Sequence, residues 1–149
     1  MEILVTNIPP EINSDVDIPE LQLFRAYVGD NNALPYFHQS LAFKQIRKGE
    51  NVTLVAGTAA GKTLAVAVPL LIKLKSDRIK KVMFLYPTIA LLEDQQQVIQ
   101  RLATLVGLEK EIGSIQGGMS RISLIKNLNR KIILATPDAS GVRNPVYIF

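Results

Sequence analysis

Short apolar runs alternate with longer stretches of helical periodicity along most of the chain. Three largely apolar runs have the length of strands, and a fourth short strand is predicted near residues 111–116. The three runs are residues 52–55, 81–86 and 130–135. Unbroken apolar runs are typical of strands buried on both faces of a parallel sheet. Apolar residues recur at helical spacing between the runs, and the predicted helices cover residues 36–46, 61–75, 88–105 and 120–128.

Strands that alternate with helices predict an α/β fold, in which right-handed crossovers build a parallel sheet flanked by helices. In such a fold ligands bind at the carboxyl ends of the strands. The first residues precede this pattern. Residues 1–8 predict a short strand, residues 11–20 an acidic exposed loop, and residues 19–27 a helix. We therefore expect a leader over residues 1–33, with an edge strand and a packing helix, and an α/β domain over residues 34–149.

The turn after residues 52–55 carries the strongest candidate chemistry. It reads Ala-Gly-Thr-Ala-Ala-Gly-Lys-Thr at residues 56–63 and opens a predicted helix. Backbone N–H groups of such a turn and the positive end of the helix favour an anion. Lys62 is placed to reach the β- and γ-phosphates of ATP, and the Thr63 hydroxyl to bind Mg²⁺.

Lys62 and Thr63 are therefore the predicted catalytic residues. The predicted phosphate-binding residues are Gly57, Thr58, Ala59, Ala60, Gly61, Lys62 and Thr63. Gly61 allows a close approach of the backbone to the phosphates. The alternative interpretation is an ordinary strand-to-helix turn with a solvated lysine.

One amide precedes this turn at the start of a predicted helix. Gln39 follows the aromatic residues Tyr36 and Phe37, and a planar amide can pair with the edge of adenine through one donor and one acceptor. The alternative is that Gln39 caps the helix. His38, the single histidine, is predicted to be a partly exposed packing residue.

Three further turns follow predicted strands and are candidates for contact with a nucleic-acid backbone. They contain Pro87 with Thr88, Gly117 with Gly118, and Thr136 with Pro137. A helix N-terminus and a hydroxyl at Thr88 can hold a phosphate, and a Gly-Gly turn allows close approach of a sugar-phosphate chain. Each has an ordinary structural alternative, a helix N-cap or a tight turn. We expect residues 57–63, Pro87 with Thr88, and Thr136 with Pro137 to converge on one edge of the sheet.

Composition agrees with a packed domain that meets a polyanion. Of the 149 residues 48% are hydrophobic, and 17 basic against 13 acidic residues give a net charge of +4. The chain has no cysteine. No apolar stretch is long enough to span a bilayer, and no secretory signal is recognisable. We therefore expect a cytoplasmic protein with no membrane partner.

The order of these elements carries a family resemblance. A glutamine-bearing helix, the turn at residues 56–63, Tyr-Pro-Thr, Gly-Gly and Ala-Thr-Pro-Asp follow one another as do the Q motif, motif I, motif Ia, the GG element and motif Ib of superfamily 2 (DEAD/DEAH-like) helicases. The chain therefore resembles part of a first RecA-like P-loop domain. The loop that begins with Ala56 instead of glycine also resembles that of DEAD-box and related helicases.

Two motifs resemble a narrower group within this superfamily. The stretch Tyr-Pro-Thr-Ile-Ala-Leu-Leu-Glu-Asp-Gln at residues 86–95 and Ala-Thr-Pro-Asp at residues 135–138 look most like the helicase subunit of type I CRISPR interference. The resemblance implies an ATP-dependent helicase or translocase that acts on DNA rather than RNA, with a CRISPR effector complex as partner.

The family pattern also includes residues that this sequence does not contain. No Asp-Glu pair, which would hold Mg²⁺ and position water, follows residue 138. We expect the front part of a helicase, an incomplete RecA-like domain that binds ATP without hydrolysing it at a useful rate, with the remainder of the helicase as its missing partner. Two alternatives remain: a non-enzymatic interaction module or decoy, and a small P-loop phosphotransferase.

Overall fold

The predicted strands and helices form in the order expected. The computed structural model describes residues 2–5, 18–57 and 59–140. The chain divides into two compact units, Met1–Lys73 and Leu74–Phe149, and each is described on its own. The five strands described are all in parallel pairs, which confirms the predicted α/β fold with helices flanking parallel strands. They form a two-stranded and a three-stranded sheet.

The first unit contains strands β1 and β2 and helices α1 to α3. Their bounds are β1 Glu2–Val5, α1 Ile18–Val28, α2 Phe37–Lys48, β2 Val52–Val55 and α3 Lys62–Lys75. Strand β1 pairs with β2 in register from Glu2 opposite Val52 to Val5 opposite Val55. The Lys73 ammonium group donates a hydrogen bond to the Ile46 carbonyl at 2.9 Å, and so ties α3 to the last turn of α2. Helices α2 and α3, which precede and follow β2 in the sequence, are thus linked by a direct hydrogen bond.

One prediction for the leader was wrong. The helix predicted over residues 19–27 is confirmed by α1, but the exposure expected up to residue 20 is wrong, because Glu20 is only 3% exposed. Pro19 lies in the first turn of α1, where its fixed φ and missing N–H are tolerated. Residues 11–17 lie outside the described residues, and the boundary between residues 33 and 34 stays a prediction.

The second unit contains three strands in the order β3-β5-β4. Its elements are β3 Val82–Leu85, α4 Ile89–Val106, a 3-10 turn Glu109–Glu111, β4 Ile112–Ile115, α5 Arg121–Leu128, β5 Ile132–Ala135 and α6 Pro137–Ser140. All four residues of the central strand β5 are buried, as predicted. Residues 81–86 were also predicted to be buried on both faces, and this was wrong because the Met83 side chain is 37% exposed. The structure adds the 3-10 turn and α6, which were not predicted.

Helix α5 packs closely on β4. A Cβ at Gly113 would lie 2.7 Å from the Asn127 carbonyl oxygen, so only glycine permits this approach of strand and helix. Leu124 of α5 packs against the buried Ile115 and Ile133 on the same face of the sheet. No helix of the described residues is both long and apolar enough to cross a membrane.

Candidate nucleotide-binding turn and nucleic-acid rim

The turn from β2 to α3 has a backbone conformation that side chains rarely permit. Ala59 has φ of 60° and Gly61 has φ of 69°, both in the left-handed region. Glycine adopts that region at little cost, whereas alanine there is disfavoured by about 1–2 kcal/mol. A turn with this strain persists only where its surroundings fix it. Thr58, predicted as a phosphate-binding residue, lies outside the described residues.

Helix α2 supplies two of the contacts that fix the turn. His38 Nε2 lies 2.7 Å from the Ala60 carbonyl oxygen, and Gln39 Nε2 donates to the Gly61 carbonyl at 3.1 Å. Because a carbonyl only accepts, Nε2 of His38 carries the hydrogen. The Tyr36 ring stacks on the imidazole with the ring centroids 5.8 Å apart. These two neighbouring side chains hold two successive carbonyls of the turn.

His38 is the residue whose importance the sequence reasoning missed. It was predicted to be partly exposed, but its exposed fraction is 6% and its ring is bound to the turn. Its partner Ala60 is 22 residues away, so no local pattern could reveal the contact. The one available signal was its position next to Gln39, on the helical turn already predicted to face the nucleotide.

Both the oxygen and the nitrogen of the Gln39 amide make hydrogen bonds within the protein. Its Oε1 accepts from the Tyr36 N–H at 2.9 Å while its Nε2 binds the Gly61 carbonyl, and the side chain is 2% exposed. The helix-capping alternative is therefore confirmed. An amide has two N–H donors and an oxygen with two lone pairs, so one donor and one lone pair are still available. The adenine contact of Gln39 stays a prediction.

Lys62 lies across the turn. Its ammonium group donates to the Ala56 carbonyl at 2.8 Å and to the Gly57 carbonyl at 3.2 Å. An ammonium has three N–H donors, so a third is available to a phosphate oxygen without breaking either bond. Gly57 and Ala59 are exposed, and the turn is open to solvent on that side. The lysine is thus positioned over the turn, as a phosphate-binding lysine requires.

The start of α3 provides the remaining phosphate-binding features. The first hydrogen bond of the helix described runs from the Ala65 N–H to the Gly61 carbonyl, so α3 begins directly at the end of the turn. Thr63 is half-buried in the first turn of α3. No cluster of three or more acidic, histidine or cysteine side chains among the described residues could hold a metal. Lys62 and the turn suit an anion such as a triphosphate, and a role of Thr63 in holding its Mg²⁺ stays a prediction.

The three predicted nucleic-acid turns are brought to one edge of the second unit. The Tyr86 N–H donates to the Ala135 carbonyl at 2.9 Å, and the Thr136 N–H to the Ile115 carbonyl at 3.3 Å. The strands before Pro87, Gly117 and Pro137 therefore end side by side, as the parallel order requires. This edge is called the rim below, and consists of residues 87–88, 117–118 and 136–137. Convergence of the rim with residues 56–63 stays a prediction, because those residues belong to the other unit.

Three of the rim residues also have a structural role. The Thr88 hydroxyl accepts from the Leu91 N–H at 3.2 Å and caps α4, which confirms the N-cap alternative for this residue. Gly118 turns with φ of 82°. Pro137 begins helix α6, where a loop was expected, because proline is favoured in the first turn of a helix. Thr136 is buried.

Tyr86 anchors the first of these turns at the end of β3. Burial raises the pKa of its phenol well above the usual value, so the side chain is neutral at physiological pH. The turn at Pro87 and Thr88 thus directly follows the buried, uncharged side chain of Tyr86.

The family model of the DEAD/DEAH box helicases matches residues 36–141. The uncharacterised ATP-dependent helicase YprA of Bacillus subtilis is 32% identical over 106 residues, which cover 69% of this chain and 14% of that protein. The ATP-dependent rRNA helicase RRP3 of Kluyveromyces lactis is 35% identical over 102 residues, 66% of this chain and 20% of that protein. The chain therefore spans less than a quarter of the length of these two relatives.

Solved helicase structures have the same fold. The crystal structure of the DUF1998 helicase MrfA bound to DNA and AMPPNP superposes with a TM-score of 0.70 at 26% identity, over 88% of this chain and 19% of that one. The RNA helicase Prp28 from Chaetomium thermophilum bound to ADP gives 0.61 at 27% identity, over 90% of this chain and 34% of that one. Together with the matched family model, these likenesses show that the chain belongs to the DEAD/DEAH box helicases and represents part of their first RecA-like region.

Proposed function

We propose that this chain is the ATP-binding front part of an ATP-dependent nucleic-acid helicase, with DNA as the strand it acts on. The observation that carries the proposal is the turn at residues 56–63, which α2 holds open while Lys62 lies across it. Because the chain belongs to the helicase family, we infer that the ligand of this turn is a nucleoside triphosphate. The similar helicases MrfA and Prp28 have structures bound to AMPPNP and to ADP, which supports an adenine nucleotide as the ligand.

The chain's own residues divide the work of nucleotide binding. Lys62 neutralises phosphate charge through its remaining N–H, and the N–H groups at the start of α3 bind phosphate oxygens. Thr63 binds the Mg²⁺ that accompanies the nucleotide, and Gln39 presents its remaining donor and lone pair to adenine. Bound MgATP supplies the free energy for movement along a strand in the complete protein.

The rim contacts the strand through its sugar-phosphate backbone. The N-terminus of the eighteen-residue helix α4 and the exposed Gly117-Gly118 turn give backbone N–H groups and close access to phosphates. The preference for DNA rests on the motif resemblance and on MrfA, whose structure contains DNA. The chain's net charge of +4 favours association with a polyanion.

The narrower assignment is to a CRISPR interference helicase with an effector complex as partner, in the cytoplasm. Its support is the resemblance of residues 86–95 and 135–138 to the helicase subunit of type I systems. A pull-down of purified effector complex with the tagged chain tests it. Capture that survives nuclease treatment is expected, and loss of capture after nuclease treatment would contradict a direct protein partner.

The polypeptide of these 149 residues is proposed to bind ATP without turning it over. Its sequence contains no Asp-Glu pair, and hydrolysis in this family needs such carboxylates to hold Mg²⁺ and orient water. A catalytic arginine from a second domain contributes a further factor of about 10³–10⁵ to turnover in related phosphoryl-transfer enzymes. The remainder of the helicase would have to supply both.

The test measures binding of a fluorescent ATP analogue and release of phosphate in parallel, with and without single-stranded DNA. Saturable binding and no phosphate release above background are expected. Turnover that Lys62→Ala abolishes would contradict the inactive assignment alone. Failure of the analogue to bind would contradict the nucleotide site itself.

A second candidate function, an interaction module or decoy, is favoured by one surface. Helix α5 exposes a row of large apolar side chains, with Ile122 83% exposed and Ile125 and Leu128 also exposed. Such a row is typical of a surface that meets another protein. Ile122→Ser with Ile125→Ser would abolish capture of a partner complex in this case while ATP binding is unchanged. No observation favours the phosphotransferase alternative.

A further inference from the structure

A polar groove lies beside the edge strand β4 and belongs to no site described above. Its volume is about 480 Å³. One wall is a single face of α4, since its four residues are spaced at i, i+3, i+4 and i+7. The other wall is the end of β4. The lining residues are Glu93, Gln96, Gln97, Gln100, Ser114 and Gln116.

The side chains that line the groove make no hydrogen bonds to other described residues. Over the described residues, no side chain of the four glutamines makes a hydrogen bond. The Ser114 hydroxyl oxygen is shielded from solvent and also has no partner. Buried polar groups in folded proteins are nearly always paired, so the unpaired Ser114 hydroxyl points to a ligand, and the solvent-accessible amides beside it are free to contact that ligand.

The chemistry of the lining selects the edge of a nucleobase. Each glutamine amide offers a donor and an acceptor in one plane, which is how amides read bases. Glu93 adds a carboxylate, which repels a phosphate but accepts from an exocyclic amino group such as that of cytosine. The groove therefore suits an uncharged, hydrogen-bonding base better than the sugar-phosphate chain.

The position of the groove agrees with this ligand. Gln116, at one end of the groove, directly precedes Gly117 and Gly118, which the proposed function assigns to the sugar-phosphate chain. A strand whose sugar-phosphate chain is held at that turn would carry its bases beside the groove. Unpaired bases are readily turned outward and paired along their edges. An extended peptide also offers donors and acceptors, but nothing at Gly117 would position it.

We propose that this groove binds unpaired bases of the strand held at the rim, with a preference for bases that carry an amino group. The inference rests on the proposed function, because it needs the rim to hold a strand. It adds base contacts, from Gln96, Gln100 and Glu93 in particular, to a surface otherwise assigned only to backbone contacts.

The experiment compares three fluorescently labelled strands of eight nucleotides by anisotropy, using the 149-residue polypeptide. The strands are oligo-dC, oligo-dT and an abasic strand with the same backbone. We expect oligo-dC to bind about fivefold to tenfold more tightly than the abasic strand, the value of one or two hydrogen bonds, and oligo-dT to lie between them.

Three variants locate the effect. Gln96→Ala with Gln100→Ala is expected to lower oligo-dC affinity to that of the abasic strand without changing the latter. Glu93→Ala should remove the preference for dC over dT and slightly strengthen oligo-dT binding, because a repulsive carboxylate is gone. Gln95→Ala, on the same helix but outside the groove, is the matched control and should change nothing. Circular dichroism establishes that each variant is folded.

The possible outcomes distinguish a failure of the proposed base contacts from a failure of the proposed function. If all three strands bind equally, the base contacts are wrong and the backbone contacts of the rim stand. If no strand binds, both are wrong. If the groove variants weaken binding of an uncharged polar peptide while strand affinities are unchanged, the groove is a peptide site and the inference is wrong.

Discussion

The nucleotide-binding turn and the nucleic-acid rim are held in place by different means. Three side chains, His38, Gln39 and Lys62, hold the turn by hydrogen bonds to four of its carbonyls. The rim is instead held by the backbone hydrogen bonds of three parallel strands and by the helix cap at Thr88. The turn therefore depends on the identity of a few side chains, whereas the rim depends on the fold of its unit.

This difference predicts how each region responds to substitution. A change at the turn should alter ligand affinity and leave the stability of the domain nearly intact, because the strained backbone loses its support locally. A change in the unit that carries the rim should lower the stability of that unit more than it lowers ligand affinity. The glycines Gly61 and Gly113 allow a matched comparison, because an added Cβ meets a side chain at one and backbone at the other.

The largest effect on stability is expected from Gly113→Ala. The new Cβ would lie 2.7 Å from the Asn127 carbonyl oxygen and 3.1 Å from the Asn127 Cα, and backbone cannot move aside as a side chain can. Overpacking of this kind costs about 1–3 kcal/mol. Chemical denaturation monitored by circular dichroism measures it. Unchanged stability would show that α5 is free to shift away from β4.

Gly61→Ala should instead weaken ATP binding by about tenfold, with a smaller loss of stability. Alanine with φ near 69° is strained by about 1–2 kcal/mol, and its Cβ would overlap Gln39 Nε2 and break the bond to the turn. Calorimetric titration with MgATP measures the affinity. Gly117→Ala, which lies outside the turn, is the control, since a Cβ there meets nothing within 4 Å and the backbone has no positive φ.

His38→Phe should weaken ATP binding by about fivefold, the value of one hydrogen bond of about 1 kcal/mol. Phenylalanine keeps an aromatic ring beside Tyr36 but cannot donate to the Ala60 carbonyl. His38→Gln, which keeps a donor, should recover part of the affinity. Equal affinity of the wild type and the phenylalanine variant would show that the Ala60 contact does not support the turn.

Thr88→Ala should have the smallest effect. Loss of the cap on α4 costs about 1 kcal/mol of stability, and ATP affinity should be unchanged. Thr88→Ser keeps the hydroxyl and is the control. Thermal unfolding and nucleotide titration of the two variants give both quantities. A loss of ATP affinity with intact stability would contradict the claim that substitutions in the rim leave nucleotide binding unchanged.

Sequence alone predicted the elements well and their tertiary contacts poorly. The N-cap alternative for Thr88 could be named from the sequence and is confirmed, because capping is decided by neighbouring residues. The bond from His38 to Ala60 spans 22 residues, and the groove pairs α4 with a strand that follows it. Periodicity reports which residues share a face, but not which distant residue meets that face.

The same limit explains the corrections. Pro137 was placed in a loop because a proline after a strand suggests a turn, but proline also begins helices and here starts α6. Met83 lies in an apolar run, and the run alone could not show that one side chain remains 37% exposed. Position in the sequence was enough to make Lys62 and Gln39 candidates for the site. Their hydrogen-bond partners could not be identified in this way.

The most direct test of the account is a calorimetric titration of the 149-residue polypeptide with MgATP and with adenosine, repeated for Lys62→Ala. The central claim is that residues 56–63 bind the phosphates. We expect ATP to bind far more tightly than adenosine, and Lys62→Ala to weaken ATP binding by about thirtyfold or more, the value of a charged hydrogen bond of about 2 kcal/mol. Equal affinities for ATP and adenosine, or an unchanged affinity in Lys62→Ala, would contradict that claim.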